Sequence, residues 1–100
     1  MVMPIRPDLT QHRGTVHGGV IGSLADNVCG YAVASVAGAI VTSSYTLHLL
    51  APTIGERIRA FGRSIHAGGR LATATADLYA ENGEDRTLVA TAFATFVLFR

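Results

Sequence analysis

Between Val16 and Val36 the apolar residues recur at three- and four-residue intervals, and after Ile40 they tend to alternate. The first rhythm predicts a helix over 16 to about 36, ending near Gly38. Ahead of it, residues 1–6 read as a short strand and "PDLTQHRG" as a loop. Behind it, "IVTSSYTLHLLAP" is a β-branched and aromatic run closed by Pro52. Three further strands are predicted at Glu56–His66, Arg70–Ala80 and Thr87–Phe99, parted by the turn signals "TIGE", "AGG" and "ENGEDR". Asn82-Gly83 within the last of these is a hairpin dipeptide. "ATATADLYA" sets Ala72, Ala74, Ala76 and Leu78 on one face and Thr73, Thr75, Asp77 and Tyr79 on the other. The alanine face is small and suits close packing against a helix. The expected architecture is α+β, one long helix followed by an antiparallel meander, in a single domain over residues 1–100.

One charge interrupts the helix. At 100° per residue Val20, Ile21, Leu24, Ala25, Val28, Tyr31 and Ala32 share a stripe expected against the sheet. Asp26 points the opposite way, among Gly19, Gly22, Ser23, Gly30 and Val33. A solvated face would carry lysine, glutamate and arginine. Glycines weaken a helix and make sense where another backbone or a ligand comes close, so Asp26 is expected in a crowded cleft. At the helix start, the first amides are unpaired and lie at the positive end of the dipole. Gly18 and Gly19 leave those donors open to an oxyanion. The eight residues from Gly18 to Asp26 span roughly 12 Å of helix. A base and an oxyanion donor serving one carbonyl must both lie within a few ångströms of it. One subunit cannot easily supply both, whereas a two-fold dimer can set Asp26 of one chain opposite Gly18 of the other.

Composition supports assembly. Hydrophobic residues make up 49% and charged residues 15% of the 100, and the mean hydropathy is +0.36. So small and apolar a chain is expected to cover part of its surface with a second copy. A net charge of +1 gives no basic field for nucleic acid. The uncharged stretch from Asn27 to Gly55 is broken by Ser, Thr, His48 and Pro52, so no membrane span is expected. The N-terminus, with Pro4 and Pro7, does not read as a signal peptide. A single cysteine, Cys29, excludes an intrachain disulfide and fits a reducing, cytoplasmic setting; it reads as a buried, inert thiol. His12, His17, His48 and His66 have no metal-ligand spacing. No metal or cofactor is expected, and neither a nucleophile elbow nor a phosphate loop is present.

"RGTVHGGVIGSLADNVCGYA", with "VTSSYTLHLLAPTIGE" and "IHAGGRLATATADLY" behind it, resembles the hotdog-fold acyl-CoA thioesterases over nearly the whole chain. The nearest branch is the phenylacetate-pathway type of the 4-hydroxybenzoyl-CoA thioesterase superfamily. The resemblance implies a long central helix wrapped by a curved antiparallel sheet, dimers joined through the sheet, and active sites at the dimer interface. The implied partners are an acyl-CoA substrate and a second copy, with dimers pairing into tetramers. Residue by residue, the family's carboxylate falls on Asp26, as general base or nucleophile. Its oxyanion amide falls on Gly18, in the motif opened by His17 and continued by Gly19. A water-positioning hydroxyl falls on Thr42. Many relatives carry asparagine six residues before the motif histidine; Gln11 stands there, keeping the amide on a longer arm. Arg63, His66, Gly69 and Arg70, around the "HAGG" turn, fall near where relatives hold the coenzyme A phosphates. The chain is N-terminally short of the family pattern, where an extra helix often helps cover the acyl pocket. Two other readings remain: a hotdog hydratase, which would want a histidine paired with an acid, and a non-catalytic acyl-CoA-binding module, which has no need of Asp26.

Overall fold

The computed structural model of the chain describes residues 1–11 and 15–98; His12 and the expected strand end at Phe99 lie outside them. Strand β1 (Val2–Pro4) and a 3-10 turn (Pro7–Leu9) lead into helix α1 (Gly18–Ala37). Four strands follow: β2 (Ile40–Leu49), β3 (Arg57–Gly68), β4 (Leu71–Asn82) and β5 (Asp85–Leu98). They form one antiparallel sheet in the order β1-β3-β4-β5-β2. The predicted helix and all five strands are present.

The turns form where the local chemistry demands. Gly69 and Gly83 adopt φ of 60° and 61° in the β3–β4 and β4–β5 hairpins, a region open to glycine at little cost. The meander, however, covers only β3, β4 and β5. The "TIGE" segment is no hairpin, because β2 pairs with β5 and not with β3. Residues 50–56 instead cross the sheet end: the Leu50 and Ala51 amides donate to the Val89 carbonyl, and the Glu56 amide to the Glu81 carbonyl. β2 therefore becomes one edge of the sheet, alongside the helix that precedes it.

Helix and sheet meet on the alanine face. Ala72, Ala74, Ala76 and Ala80 on β4 and Ala90, Ala92 and Ala94 on β5 are all buried, with Leu78 and Phe96 among them. Short side chains let α1 sit close, and its Ala25, Cys29 and Val33 are fully sealed. Closest of all is the crossing at Gly62, where a Cβ would stand 2.6 Å from the Val28 carbonyl oxygen. The buried helix surface is wider than the predicted stripe. Val33, placed beside Asp26 on the far face, is buried, while Tyr31, placed in the stripe, is 66% exposed. The reason is curvature. The sheet wraps the helix from β3 round to β2, so that a second helix flank meets β2.

The outer face of the sheet carries a charge cluster. Glu81 is buried and bonds Arg57 at 2.7 Å, Arg59 at 2.9 Å and Arg86 at 3.0 Å. Arg86 also lies over the rings of Phe61 and Tyr79, 5.4 and 5.1 Å from their centroids. Hydrogen bonds, from Arg59 first and then Arg57, hold the Glu81 carboxyl at about 2, below its ordinary 4.5. A carboxyl depressed in this way stabilises the fold fully above its ordinary value and progressively less as pH falls towards about 2. Thermal melts of wild type and Glu81→Gln are thus expected to differ most at pH 7 and to converge as pH approaches 2. A constant gap across that range would mean that the cluster's ionisation contributes nothing.

Candidate active site

The first turn of α1 opens onto a cavity. His17, the residue before the helix, is extended (φ −57°, ψ 137°), makes no side-chain cap, and is followed by a turn with no acid. Among the described residues the amides of Gly18 and Gly19 have no hydrogen-bond partner. Gly18, Gln11, Ile21, Leu49 and Thr53 line a cavity of about 340 Å³. It is tight at the glycine: a Cβ on Gly18 would lie 3.2 Å from the Leu49 methyl carbon Cδ1. Open donors at the positive end of a helix suit a carbonyl oxygen gaining negative charge.

Two turns along the helix, Asp26 is partly buried, and Thr42 Oγ1 donates a hydrogen bond to its Oδ1 at 2.8 Å. An ionised carboxylate only accepts, so the hydroxyl proton is committed to it and Oδ2 is left for another donor. A bulge between Thr42 and Ser44 shifts the β2 register beside this contact, and bulges re-aim side chains. Asp26 and Thr42 share a second cavity of about 240 Å³ with Gly30, Tyr31, Ile40 and Phe96. The glycines of this flank abut β2: a Cβ on Gly22 would meet the Tyr45 hydroxyl at 3.1 Å, and one on Gly30 would meet Ile40 and Phe96 at 3.7 Å. Asp26 thus occupies a crowded cleft. Facing it is the edge strand, and the open solvent side of the helix lies elsewhere.

The sequence-derived site residues fall into separate groups. Gln11 and Gly18 line one cavity, and Asp26 and Thr42 another. His17 and Gly19 line a third, with Met3, Ser23 and Asn27; the His17 side chain is exposed and does not join Asp26. Arg63, His66, Gly69 and Arg70 lie at the β3–β4 hairpin and line none of the three cavities. Register places that hairpin at Asp26's end of the sheet, because Thr42 pairs Phe96, Phe96 pairs Ala72 and Ala72 pairs Ala67. Arg63 and His66 pair with Thr75 and Thr73, on the outer face away from α1. Cys29 is buried; desolvation and then the charge of Asp26 push its thiol up to about 11, so it stays protonated and inert.

Two features, Thr53 and Tyr31, escaped sequence reasoning. Thr53 is 1% exposed, and its hydroxyl has no hydrogen-bond partner among the described residues although it lines Gly18's cavity. Tyr31, expected against the sheet, forms part of the wall beside Asp26 together with Gly30. Helical spacing had already set Gly30 on Asp26's flank, one turn after it.

Comparison with known proteins agrees with this architecture. The family model described as Thioesterase superfamily matches residues 13–87. A thioesterase family protein from Silicibacter pomeroyi is 32% identical, over 96% of this chain and 73% of its own, with a TM-score of 0.92. A Bacillus halodurans protein solved with CoA is 25% identical, over 98% and 69%, with a TM-score of 0.87. A phenylacetic acid degradation-related protein from Ralstonia eutropha is 26% identical, over 97% and 73%, with a TM-score of 0.85. No curated protein matches the chain. No helix is long and apolar enough to cross a membrane among the described residues.

Proposed function

This chain belongs to the Thioesterase superfamily, and from that premise we propose that it hydrolyses acyl-CoA thioesters at a site shared between two subunits. One observation carries the reading. Gly18 and Asp26 line separate cavities at opposite ends of β2, and β2 is an unpaired edge of ten residues without proline, lysine, arginine, aspartate or glutamate. Such an edge invites pairing with another strand.

Two-fold pairing of β2 with its copy joins the two halves. An axis passing between Tyr45 and Thr46 sets Thr42 against the partner's Leu49. On the helix, setting Asp26 against the partner's Gly18 requires an axis at Gly22. The Tyr45 hydroxyl lies against Gly22, so both requirements point to one place in the molecule. The thioester carbonyl then takes its hydrogen bond from the Gly18 amide and the Gln11 carboxamide of one subunit. Asp26 of the other removes a proton from the attacking water, oriented by Thr42, or attacks the carbonyl itself to give an anhydride that water opens. Either route breaks the C–S bond and releases free acid and coenzyme A. A thioester suits so light an apparatus because its carbonyl is electrophilic and its thiolate leaves readily. Among the described residues of one subunit no histidine lines Asp26's cavity, so the histidine–acid pair that hydration would want is not formed within it.

His17 and Gly19 shape the helix entry, while Arg63, His66, Gly69 and Arg70 at the hairpin hold the coenzyme A phosphates. Exposed Phe61 and Phe93 on the outer sheet face are where two dimers would join into a tetramer. The likeness to the Ralstonia eutropha protein supports the phenylacetate-type branch, and the protein works in the cytoplasm. Thiol release from short, long and aromatic acyl-CoAs without added metal tests the reaction. Cleavage of at least one class is expected, from a species at least dimeric by light scattering; no cleavage across the panel, or an active monomer, contradicts the reading.

A further inference from the structure

We propose that Tyr45 meets its own copy on the two-fold axis, and that the pair spaces the two halves of each active site. The inference rests on the shared-site reading and adds a positioning residue to it. Tyr45 pairs with Ala94, a buried residue of the alanine face, so its ring points inward at α1. There the hydroxyl comes down on Gly22: a Cβ at that glycine would stand 3.1 Å from it. The side chain is nevertheless 47% exposed, because β2 is an edge of the sheet. Among the described residues no side-chain hydrogen bond engages the hydroxyl. A phenol both donates and accepts, and once covered it needs a partner.

The place of the hydroxyl identifies that partner. Gly22 lies four residues from Gly18 and four from Asp26, roughly 6 Å of helix in each direction. Bringing Asp26 to the partner's Gly18 puts the axis at this midpoint. A group beside a two-fold axis lies beside its own copy. The partner's Tyr45 therefore supplies the second hydroxyl, one donating and the other accepting. The glycine is explained as well. A side chain at position 22 would displace the hydroxyl, and with it the spacing between Asp26 and the partner's Gly18.

Tyr45 is one of three tyrosines, so its proximity to the copy can be read chemically. Tyr31→Phe with Tyr79→Phe leaves it as the single tyrosine. Photo-oxidation by a ruthenium bipyridyl complex with persulfate takes one electron and one proton from each phenol. Adjacent rings then join through a carbon–carbon bond. A covalent dimer with dityrosine fluorescence is expected from this protein, and none once Tyr45→Phe is added. Absence of the cross-link in a protein that is dimeric by light scattering overturns the pairing and leaves the shared site standing. A monomer overturns the shared site on which the pairing rests. Should the single-tyrosine protein fail to fold, wild type is compared with Tyr45→Phe, and a cross-link unchanged by that substitution overturns the pairing.

The spacing is read in kcat. Gly22→Ala is assayed at concentrations where the variant is fully dimeric, which removes any effect of weaker association. Its kcat is expected to fall by about threefold or more, since about 1 Å of misplacement can cost about 10²-fold. Adding Tyr45→Phe removes the obstructing hydroxyl and is expected to return most of that loss. An unchanged kcat, or losses that simply multiply, overturns the spacing role. An inactive wild type that still cross-links through Tyr45 overturns hydrolysis alone.

Discussion

Asp26→Asn is expected to lower the turnover of a cleaved acyl-CoA by about 10²–10⁴-fold, the contribution of a positioned acid–base group. Asparagine keeps the shape of the side chain, and its Oδ1 still accepts the Thr42 hydroxyl, which bonds Asp26 Oδ1 at 2.8 Å. The free carboxylate oxygen that takes a proton, or attacks carbon, is what disappears. Whatever the Gly18 amide and the Gln11 side chain contribute is untouched, because they line the other cavity. The loss should therefore fall on kcat, while a thioether analogue of the substrate binds with similar affinity. A variant that retained wild-type kcat would remove Asp26 from the chemistry. A variant that lost kcat and analogue binding together would make it a binding residue.

Gly62→Ala is expected to destabilise the fold by about 1–3 kcal/mol, the usual cost of overpacking a close-packed contact. The added methyl group would stand 2.6 Å from the Val28 carbonyl oxygen. That atom belongs to the helix backbone and cannot swing aside, so α1 as a whole must lift from β3. For a domain of this size the melting temperature should drop by about 4–8 °C per kcal/mol. The same substitution at Gly19, a helix position where a Cβ meets nothing within 4 Å, serves as the stability control and should leave the melt at wild type or slightly above it, since alanine suits a helix better than glycine. Equal melting of Gly62→Ala and wild type would mean that the helix and sheet are not held at this spacing.

The strands were readable because their alternation and turns are local. The "ATATADLYA" alternation gave the buried alanine face directly, and Asn82-Gly83 and "AGG" gave both hairpins of the β3–β5 meander. Strand order was not readable. A β-branched run such as "IVTSSYTLHL" can pair with any strand, and only the crossing of residues 50–56 puts β2 beside β5. The helix faces were half right. Periodicity at 100° assumes one flat partner, and that assumption buried Tyr31 and exposed Val33. A wrapped sheet reverses both. The crowding around Asp26 could be inferred from the glycines flanking it, and its distance from Gly18 from helix rise alone. The Thr42 partner came only through the family resemblance, since nothing in the spacing links residues 26 and 42. Thr53 could not be found at all: its sealed hydroxyl, without a partner among the described residues, follows from the path of the crossing segment against Val16, whose amide donates to the Thr53 carbonyl at 2.9 Å.

The shared site is tested most directly by crossing two inactive proteins. Asp26→Asn removes one half, and Gly18→Pro removes the amide donor of the other. Proline is acceptable at the first residue of a helix, which is where Gly18 stands, and a Cβ there meets the flexible end of Leu49 at 3.2 Å. Each homodimer should be nearly inactive. In a mixed dimer one interface site gathers both lesions, and the other pairs an intact Gly18 with an intact Asp26. Random exchange makes half the dimers mixed with one good site each, so activity should return to about a quarter of wild type. If mass spectrometry shows that subunits have exchanged and both variants are folded, yet the mixture stays inactive, the two halves do not meet across the interface.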